Sequence, residues 1–209
     1  MIQKLYDAIL HGDAKVAGTA TQEALDAGVA ALELVQKTMV PAMDEVGRLY
    51  ECEEYFVPEL LLSARAMKTS MALLRPLLTA QQSQSAGCVA IGTVKGDLHD
   101  IGKNLVAALL EGGGFRVIDL GTDVEPERFV EAVRGQGANV VCLSTLLTVT
   151  MDSMRTTVQA LRDAGLRERA AVLVGGAPVT AQFAQEIGAD AYGESATAAV
   201  ALARAHARV

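Results

Sequence analysis

Apolar residues in the first 86 positions of the chain recur at the spacing of amphipathic helices. The periodic segments cover residues 5–9, 16–25, 32–49 and 60–74, with polar residues between the apolar positions. A helix with one apolar face must bury that face, and short connections favour burial against neighbouring helices. The pattern therefore predicts a four-helix bundle, in which Val16 and Leu25 form the apolar stripe of the second helix.

Three residues mark expected helix ends and breaks in this half. Asp13 is expected to cap the second helix, and Pro58 to lie in the first turn of the fourth. Pro41 falls inside the third periodic segment and has no backbone N–H to donate to the helix. We therefore expect the third helix to kink or break at that residue.

The pattern changes at Gly87. Five short runs rich in strand-forming residues follow, each succeeded by a helical pattern, and they cover residues 88–94, 115–120, 139–144, 171–174 and 189–192. Strict alternation of strands and helices predicts an α/β fold, namely a Rossmann- or flavodoxin-like sheet of five parallel strands with helices on both faces. Ligands of such sheets bind outside the carboxyl ends of the strands, where the strand order reverses.

The glycine distribution supports the same division. Four of the 19 glycines precede residue 87, and the other fifteen lie in residues 87–209. The stretch before that change is small, polar and uncharged, which is typical of a flexible linker. We predict a helical domain over residues 1–80, a linker over 81–87 and an α/β domain over 88–209.

Composition excludes several classes of function. Aromatic residues make up 4% of the chain and the formal net charge is −7, which argues against nucleic-acid binding. No apolar run approaches the roughly 20 residues of a membrane span, and the start lacks the pattern of a signal peptide, so a cytoplasmic location is expected. Three widely spaced cysteines, Cys52, Cys88 and Cys142, favour free thiols.

The loop after the first predicted strand contains the spacing Asp97-x-His99-x-x-Gly102. It matches neither a dinucleotide-binding loop nor a P-loop. A neutral imidazole binds transition metals, and a carboxylate on its other N–H fixes the tautomer. The other two histidines lie near the chain ends, so a metal at His99 would bring most of its own ligands, as in a tetrapyrrole-like macrocycle. Alternatively, Asp97 or Asp100 only caps a helix and His99 is a surface residue.

Three motifs follow three of the predicted strands: Asp97-x-His99-x-x-Gly102, Ser144-x-Leu146 and Gly175-Gly176. Together they resemble the cobalamin-binding fingerprint of corrinoid-dependent methyltransferases and mutases. Residues 40–67 resemble the helical cap of methionine synthase and of the small corrinoid proteins, and residues 145–151 resemble the loop of stand-alone methyl carriers. The chain is similar over nearly its whole length to small corrinoid methyl-carrier proteins, and the implied cofactor is cobalamin or a related corrinoid.

The resemblance implies a role for each matching residue. His99 would be the lower axial ligand of cobalt, Asp97 would accept a hydrogen bond from its other nitrogen, and Thr150 would extend that chain with a hydroxyl, where methionine synthase has Ser. The remaining implied cofactor contacts are Gly96, Leu98, Asp100, Gly102, Ser144, Leu146, Thr148, Gly175, Gly176, Tyr192, Gly193 and Ala196. Several of these line a slot for the nucleotide tail.

Some of these residues also have ordinary structural explanations. Ser144 suits a strand end, the glycine pair suits a turn and Tyr192 suits a core. Tyr50 and Val57 match the cap residues that shield the methyl group in methionine synthase, where Phe and Leu stand instead. Ordinary packing within the bundle explains them equally well, as it does the methionines Met39, Met43, Met67 and Met71.

The implied function is methyl transfer on cobalt. A substrate-specific methyltransferase would load the methyl group, a second methyltransferase would accept it, and a reductive activator would assist; no turnover by this chain alone is expected. Two alternatives come from other classes. One is a cobalamin-dependent sensor or regulator, although the acidic chain has no spare basic domain. The other is the small subunit of a cobalamin mutase, which has no need of residues 1–86.

Overall fold

The computed structural model describes residues 1–77 and 86–207, so most of the predicted linker, residues 81–85, lies outside the described residues. The chain divides into two compact units. One comprises the described residues of Met1–Ser85 with Ala108–Gly114, and the other comprises Ala86–Ala107 with the described residues of Phe115–Val209. We describe each unit by itself.

The N-terminal unit is helical, as the apolar spacing predicts. Its elements are α1 (Ile2–Leu10), α2 (Ala14–Asp26), α3 (Ala31–Leu34), a π-helical turn (Val35–Met39), α4 (Val40–Glu51), α5 (Val57–Leu74) and a 3₁₀ turn (Arg75–Leu77). Because α3, the π turn and α4 are continuous, they form the third helix of the predicted four.

The irregularity expected at Pro41 is a π-helical turn that directly precedes α4. The N–H of Val40 donates to the carbonyl of Val35, five residues back instead of four, and Pro41 follows within the first turn of α4. A π turn accommodates the proline because the helical register shifts just before the residue that cannot donate. The helix therefore continues through Pro41 instead of stopping there.

The two other end signals are confirmed. The side chain of Asp13 accepts a hydrogen bond from the N–H of Val16 at 2.9 Å and so caps α2. Pro58 is the second residue of α5, and Glu59 reaches back to the N–H of Phe56 at 3.0 Å. Both contacts satisfy backbone N–H groups that a helix start leaves without partners.

The buried face of α2 differs from the predicted one. Val16 and Leu25 are only half buried, whereas Ala17, Ala20 and Ala24 are fully buried. Small side chains allow a neighbouring helix to approach closely, and large core residues come from elsewhere in the unit. The fully buried large side chains of the unit include Leu5, Ile9, Leu34, Met39, Leu60, Met67 and Leu74.

The second unit is a parallel sheet with alternating helices. Its strands are β1 (Cys88–Thr93), β2 (Arg116–Asp119), β3 (Val140–Ser144), β4 (Ala171–Gly175) and β5 (Ala191–Gly193). Its helices are α6 (Ile101–Gly112), α7 (Pro126–Gly135), α8 (Met151–Asp163), α9 (Ala181–Ile187) and α10 (Ala196–His206), with a 3₁₀ turn at Thr148–Thr150. The predicted α/β fold is confirmed in the described part of the chain.

The strand order is β2-β1-β3-β4-β5, with all neighbours parallel. The order reverses between β1 and β3, so the loops after these two strands diverge from a common point. The strand ends are in register, since Thr93 pairs with Ser144, Ser144 with Gly175, and Gly175 with Gly193. Three of the predicted cofactor-contacting residues therefore form a row along the carboxyl edge of the sheet.

Across residues 1–77 and 86–207, no helix is both long enough and apolar enough to cross a bilayer.

Candidate functional site

The loop between β1 and α6 is held in one conformation by contacts at both of its ends. The N–H of Val94 donates to the carbonyl of Ser144 at 3.0 Å, and the hydroxyl of Thr93 donates to the carbonyl of His99 at 2.7 Å. In the middle, Gly96 has a φ of +87° and donates its N–H to Asp123 at 2.8 Å. A positive φ favours glycine, so this turn depends on Gly96.

Asp97 is fully buried in this loop and accepts hydrogen bonds on both carboxylate oxygens. Its Oδ1 accepts from the backbone N–H of His99 at 2.9 Å and from Nδ1 of the same residue at 2.8 Å. With Nδ1 as donor, the lone pair of the neutral ring lies on Nε2. The His99 side chain is 52% exposed, so this nitrogen is available to a ligand.

The other oxygen of Asp97 is held by the loop after β3. Oδ2 accepts from the N–H of Leu146 at 2.7 Å, and the hydroxyl oxygens of Thr145 and Thr150 lie 2.9 Å and 3.2 Å from it. The two hydroxyls are 2.6 Å apart. Asp97 thus connects the loop that carries His99 to the loop of the neighbouring strand, at the point where the strand order reverses.

These contacts determine the charge of Asp97. Burial by itself raises the pKa of this carboxyl group, but hydrogen bonds from the N–H groups of Leu146 and His99, the His99 ring and Thr145 outweigh it. The net effect holds the pKa well below its ordinary value. Asp97 is therefore a carboxylate at neutral pH, which is the form that accepts all of these hydrogen bonds.

Thr145 is the residue of this network to which the sequence analysis gives no role. Its side chain is buried, and it directly follows Ser144, the half-buried last residue of β3. The feature of the sequence that could have indicated this role is a hydroxyl residue one position after a predicted strand, next to the loop motif of the first strand. Thr148, which was predicted to contact the cofactor, lies exposed on the 3₁₀ turn.

Exposed apolar side chains occupy the two loops that Asp97 joins. Leu98 is 75% exposed, and Ile101 and Val149 are each 82% exposed. Leu146 and Leu147 are also exposed. Large exposed apolar side chains grouped on two adjoining loops indicate a binding surface for an apolar ligand or partner. We call these five residues the apolar collar of His99.

A cavity of about 400 Å³ opens at the same edge of the sheet. It lies between the ends of the central strands, the start of α6 and the start of α10. The residues predicted to contact the nucleotide tail that line it are Gly102, Ser144, Gly175, Gly176, Tyr192, Gly193 and Ala196. The structure therefore brings four residues of the three motifs and three residues of the segment 192–196 to one cavity.

The glycines at this cavity have different reasons to be glycine. A Cβ on Gly102 would meet nothing within 4 Å, so that position stays open to the cavity. A Cβ on Gly175 would lie 3.0 Å from the carbonyl oxygen of Gly193. Gly176 has a φ of +134°, and a Cβ there would overlap the carbonyl oxygen of Thr145. Of Gly102, Gly175 and Gly176, only Gly102 is a glycine that the surrounding protein does not itself require.

The predicted lid residues belong to the helical unit. Tyr50 lies half buried near the end of α4, and Val57 is the first residue of α5 and is 38% exposed. The four methionines named with them are buried within that unit, which supports bundle packing as their role.

A metal at His99 would need ligands from outside the protein. Among the described residues there is no group of three His, Cys, Asp or Glu side chains able to hold a metal ion.

Comparison with known proteins decides the family. A family model described as a B12 binding domain matches residues 87–203, and another of the same description matches residues 1–75. The chain belongs to the B12-binding domain family. The corrinoid cofactor that the motifs imply is thereby confirmed for the family, and both units fall within matched regions.

Curated relatives align over almost the full length of this B12-binding protein. Trimethylamine corrinoid protein 1 of Methanosarcina acetivorans is 42% identical over 98% of this chain and 96% of that protein. Corrinoid protein DSY3155 of Desulfitobacterium hafniense is 38% identical over 97% of this chain and 95% of that protein. The predicted resemblance to small corrinoid proteins is confirmed.

Solved structures support the same family assignment. A cobalamin-binding protein from Desulfitobacterium hafniense DCB-2 is 32% identical, with a TM-score of 0.79 and coverage of 98% of both chains. The methanol:cobalamin methyltransferase complex MtaBC from Methanosarcina barkeri contains a similar chain, with 30% identity, a TM-score of 0.87 and coverage of 98% of this chain and 78% of that one.

The geometry of the site fits a corrinoid. Nε2 of His99 is available to a metal, the apolar collar offers a surface for a broad macrocycle, and the glycine-lined cavity offers space for a nucleotide tail. The macrocycle itself would complete the coordination that a single histidine cannot. The hydrogen bond between Asp97 and Nδ1 of His99 is of the kind that fixes a metal-binding histidine in its tautomer and orientation.

Proposed function

We propose that this protein carries a methyl group, on the cobalt of a bound corrinoid, from a substrate-specific methyltransferase to a second methyltransferase. The observation that carries the proposal is the His99–Asp97 pair at the strand-order reversal, the same sheet edge at which the glycine-lined cavity opens. The names of the relatives support it, since they are methylamine corrinoid proteins and a methanol:cobalamin methyltransferase complex.

In this proposal Nε2 of His99 would hold the cobalt in place of the cofactor's own base. A bound corrinoid supplies the cobalt that accepts and releases the methyl group. Asp97 orients the His99 ring through Nδ1 and keeps the lone pair on Nε2. Gly96, Leu98 and Asp100 belong to the loop that presents His99 to the ligand.

The cavity residues receive the displaced nucleotide tail. Gly102 leaves its entrance open, and Ser144 contributes a hydroxyl near the strand ends. Tyr192, Gly193 and Ala196 line the part formed by β5 and α10. Leu146 and Thr148 are proposed to contact the corrin ring from the loop after β3. In the helical unit, Tyr50 and Val57 are proposed to shield the methyl group from water.

The proposal divides the work between this chain and its partners. Residues 1–80 form the helical cap, residues 81–87 the link and residues 88–209 the cofactor-binding domain. Activation of the methyl donor and of the acceptor belongs to the two methyltransferases, and a reductive activator returns the cofactor to its reactive state. The protein alone is not expected to turn over a methyl donor.

The test is reconstitution of the full chain with hydroxocobalamin, followed by methyl transfer. Wild type should bind the cofactor with its own base released and should be methylated by a matching methyltransferase in a screen of methylamine, methanol and aryl methyl ether donors. His99→Gln should retain the cofactor's own base or lose any lower ligand. His206→Gln, a substitution of another histidine in the same unit, serves as the matched control and should behave as wild type.

The two alternative functions predict other outcomes, which two additional experiments would reveal. A sensor would change its oligomeric state on photolysis of bound adenosylcobalamin and would not accept methyl groups from a partner. A mutase subunit would retain its function without the helical unit. Either result, together with failure of methylation by every donor system, contradicts the carrier proposal.

A further inference from the structure

We propose that Thr145 is a positioning residue, which holds the carboxylate of Asp97 and through it the ring of His99 in the orientation that ligation requires. The inference rests on the proposed function, because it assigns His99 as the ligand. It differs from the sequence prediction, which gave the supporting hydroxyl to Thr150 alone. Three observations carry it: the arrangement of hydrogens among the two hydroxyls, the burial of Thr145, and the backbone of Gly176.

The first observation is the hydrogen-bond geometry. Each threonine hydroxyl has one hydrogen to donate. Oγ1 of Thr145 lies 2.9 Å from Oδ2 of Asp97 and 2.6 Å from Oγ1 of Thr150, whereas Thr150 lies 3.2 Å from Oδ2. If Thr145 donates to Asp97, Thr150 can donate to Thr145 or to the carbonyl of Leu147, which is 2.9 Å away.

The reverse arrangement is unfavourable. If both hydroxyls donated to Asp97, their oxygens would lie 2.6 Å apart with no hydrogen between them. If Thr150 alone donated to Asp97, Thr145 would donate to Thr150 or to the carbonyl of Leu147 at 3.5 Å, and its oxygen would face the carboxylate at 2.9 Å with no hydrogen between them. Two buried oxygens in that position repel each other, and one of them carries negative charge. The geometry therefore assigns the direct hydrogen bond to Thr145 and makes Thr150 its support.

The second observation is burial. Thr145 is 2% exposed, although the next four residues of its loop are exposed. A buried hydroxyl costs free energy unless it is hydrogen-bonded, and valine would fill the same space without that cost. The hydroxyl of Thr145 has its partners in Asp97 and Thr150, so its presence in the core is tied to this network.

The third observation explains what holds Thr145 itself. Its N–H donates to the carbonyl of Gly175 at 3.3 Å, and its own carbonyl oxygen occupies the place where a side chain on Gly176 would lie. Gly176 therefore makes room for the backbone of Thr145 as well as lining the cavity. A chain of contacts runs from Gly176 through Thr145 and Asp97 to His99.

The test compares T145V, T145S and T150V with wild type and H99Q, with two readouts. In the protein without cofactor, ¹⁵N chemical shifts of the His99 ring at one fixed alkaline pH report which nitrogen carries the hydrogen. In the protein reconstituted with hydroxocobalamin and reduced to Co(II), electron paramagnetic resonance reports coupling of cobalt to a histidine nitrogen. Thermal unfolding confirms that each variant is folded, and T145A replaces T145V if that variant does not fold.

T145V is expected to mix the two ring tautomers and to lower the equilibrium constant for histidine coordination about tenfold or more, the usual effect of removing an outer-shell partner. T145S restores the hydroxyl and should restore both readouts, and T150V should have the smaller effect. Wild-type values for T145V in both readouts, with coupling lost in H99Q, overturn the role of Thr145 and leave the proposed function intact. Unchanged coupling in H99Q overturns the ligand assignment itself.

Discussion

Oδ1 of Asp97 accepts two hydrogen bonds from His99, one from its backbone N–H at 2.9 Å and one from its ring at 2.8 Å. The residues are two positions apart, so a short turn brings the carboxylate to the ring. Because the backbone contact fixes the main chain and the ring contact fixes the side chain, the imidazole has little freedom left. A histidine held in this way is prepared to bind a metal before the metal arrives.

Replacement of Asp97 by Asn tests the importance of the charge. An amide can accept on one side only, so some of the N–H and O–H groups that face Asp97 would lose their acceptor. Asp97→Asn is expected to lower the free energy of unfolding by about 2 kcal/mol at neutral pH. Asp123→Asn is the matched control, because its amide oxygen can still accept from the N–H of Gly96. Urea unfolding of the cofactor-free variants measures both.

The difference in stability between wild type and Asp97→Asn should depend on pH. The pKa of Asp97 is lowered in the folded state, so its contribution to stability is fully present above the unfolded value of about 4 and is lost as pH falls through the folded value. The stability advantage of wild type over Asp97→Asn should therefore shrink below about pH 4. An advantage that stays constant from neutral pH down to acid unfolding would contradict a lowered pKa for Asp97.

Two glycine substitutions separate cofactor binding from folding. Gly102→Ala places a methyl group where the cavity is open and within α6, so the cofactor-free protein should be as stable as wild type or more stable by about 0.5–1 kcal/mol. Its affinity for hydroxocobalamin should fall.

Gly176→Ala should lose stability without cofactor, because its positive φ and the carbonyl of Thr145 leave no place for a side chain. Urea unfolding and cofactor titration of both variants give the comparison. Equal destabilisation by the two substitutions would show that the structural distinction between these glycines is wrong.

The cysteines are expected to differ in reactivity. Cys52 is exposed, whereas Cys88 and Cys142 are buried in strands, and burial raises the pKa of both thiols, that of Cys142 to about 12. Because the thiolate is the reactive form, an alkylating reagent should modify Cys52 quickly and the other two only after unfolding. Mass spectrometry of the timed reaction distinguishes the sites. Rapid alkylation of Cys142 in the folded protein would contradict its burial.

The sequence pattern predicted the larger features because they depend on periodicity and on residue type. Alternating strands and helices are sufficient to predict the parallel sheet, and in-register strand ends then bring Ser144, Gly175 and Gly193 to one edge. Asp13 and Pro58 have the same local roles in any helix. These features follow from short stretches of chain.

The remaining features depend on distances between segments. Which of Thr145 and Thr150 contacts Asp97 directly depends on how the loop after β3 turns, and both residues have the same side chain. The close approach of Gly176 to Thr145 involves two strands, so no local pattern reveals it. In α2, Val16 and Leu25 looked like the apolar stripe because hydropathy does not show that alanines form the packed face.

The most direct test of the account is the identity of the nitrogen that binds cobalt. Protein labelled uniformly with ¹⁵N is reconstituted with unlabelled cobalamin and reduced to Co(II), and its electron paramagnetic resonance spectrum is recorded. A ¹⁵N nucleus splits each cobalt line into a doublet, whereas the ¹⁴N of the cofactor's own base gives a triplet. Ligation by His99 predicts doublets that are lost in His99→Gln. Triplets in the labelled wild-type protein would contradict the account.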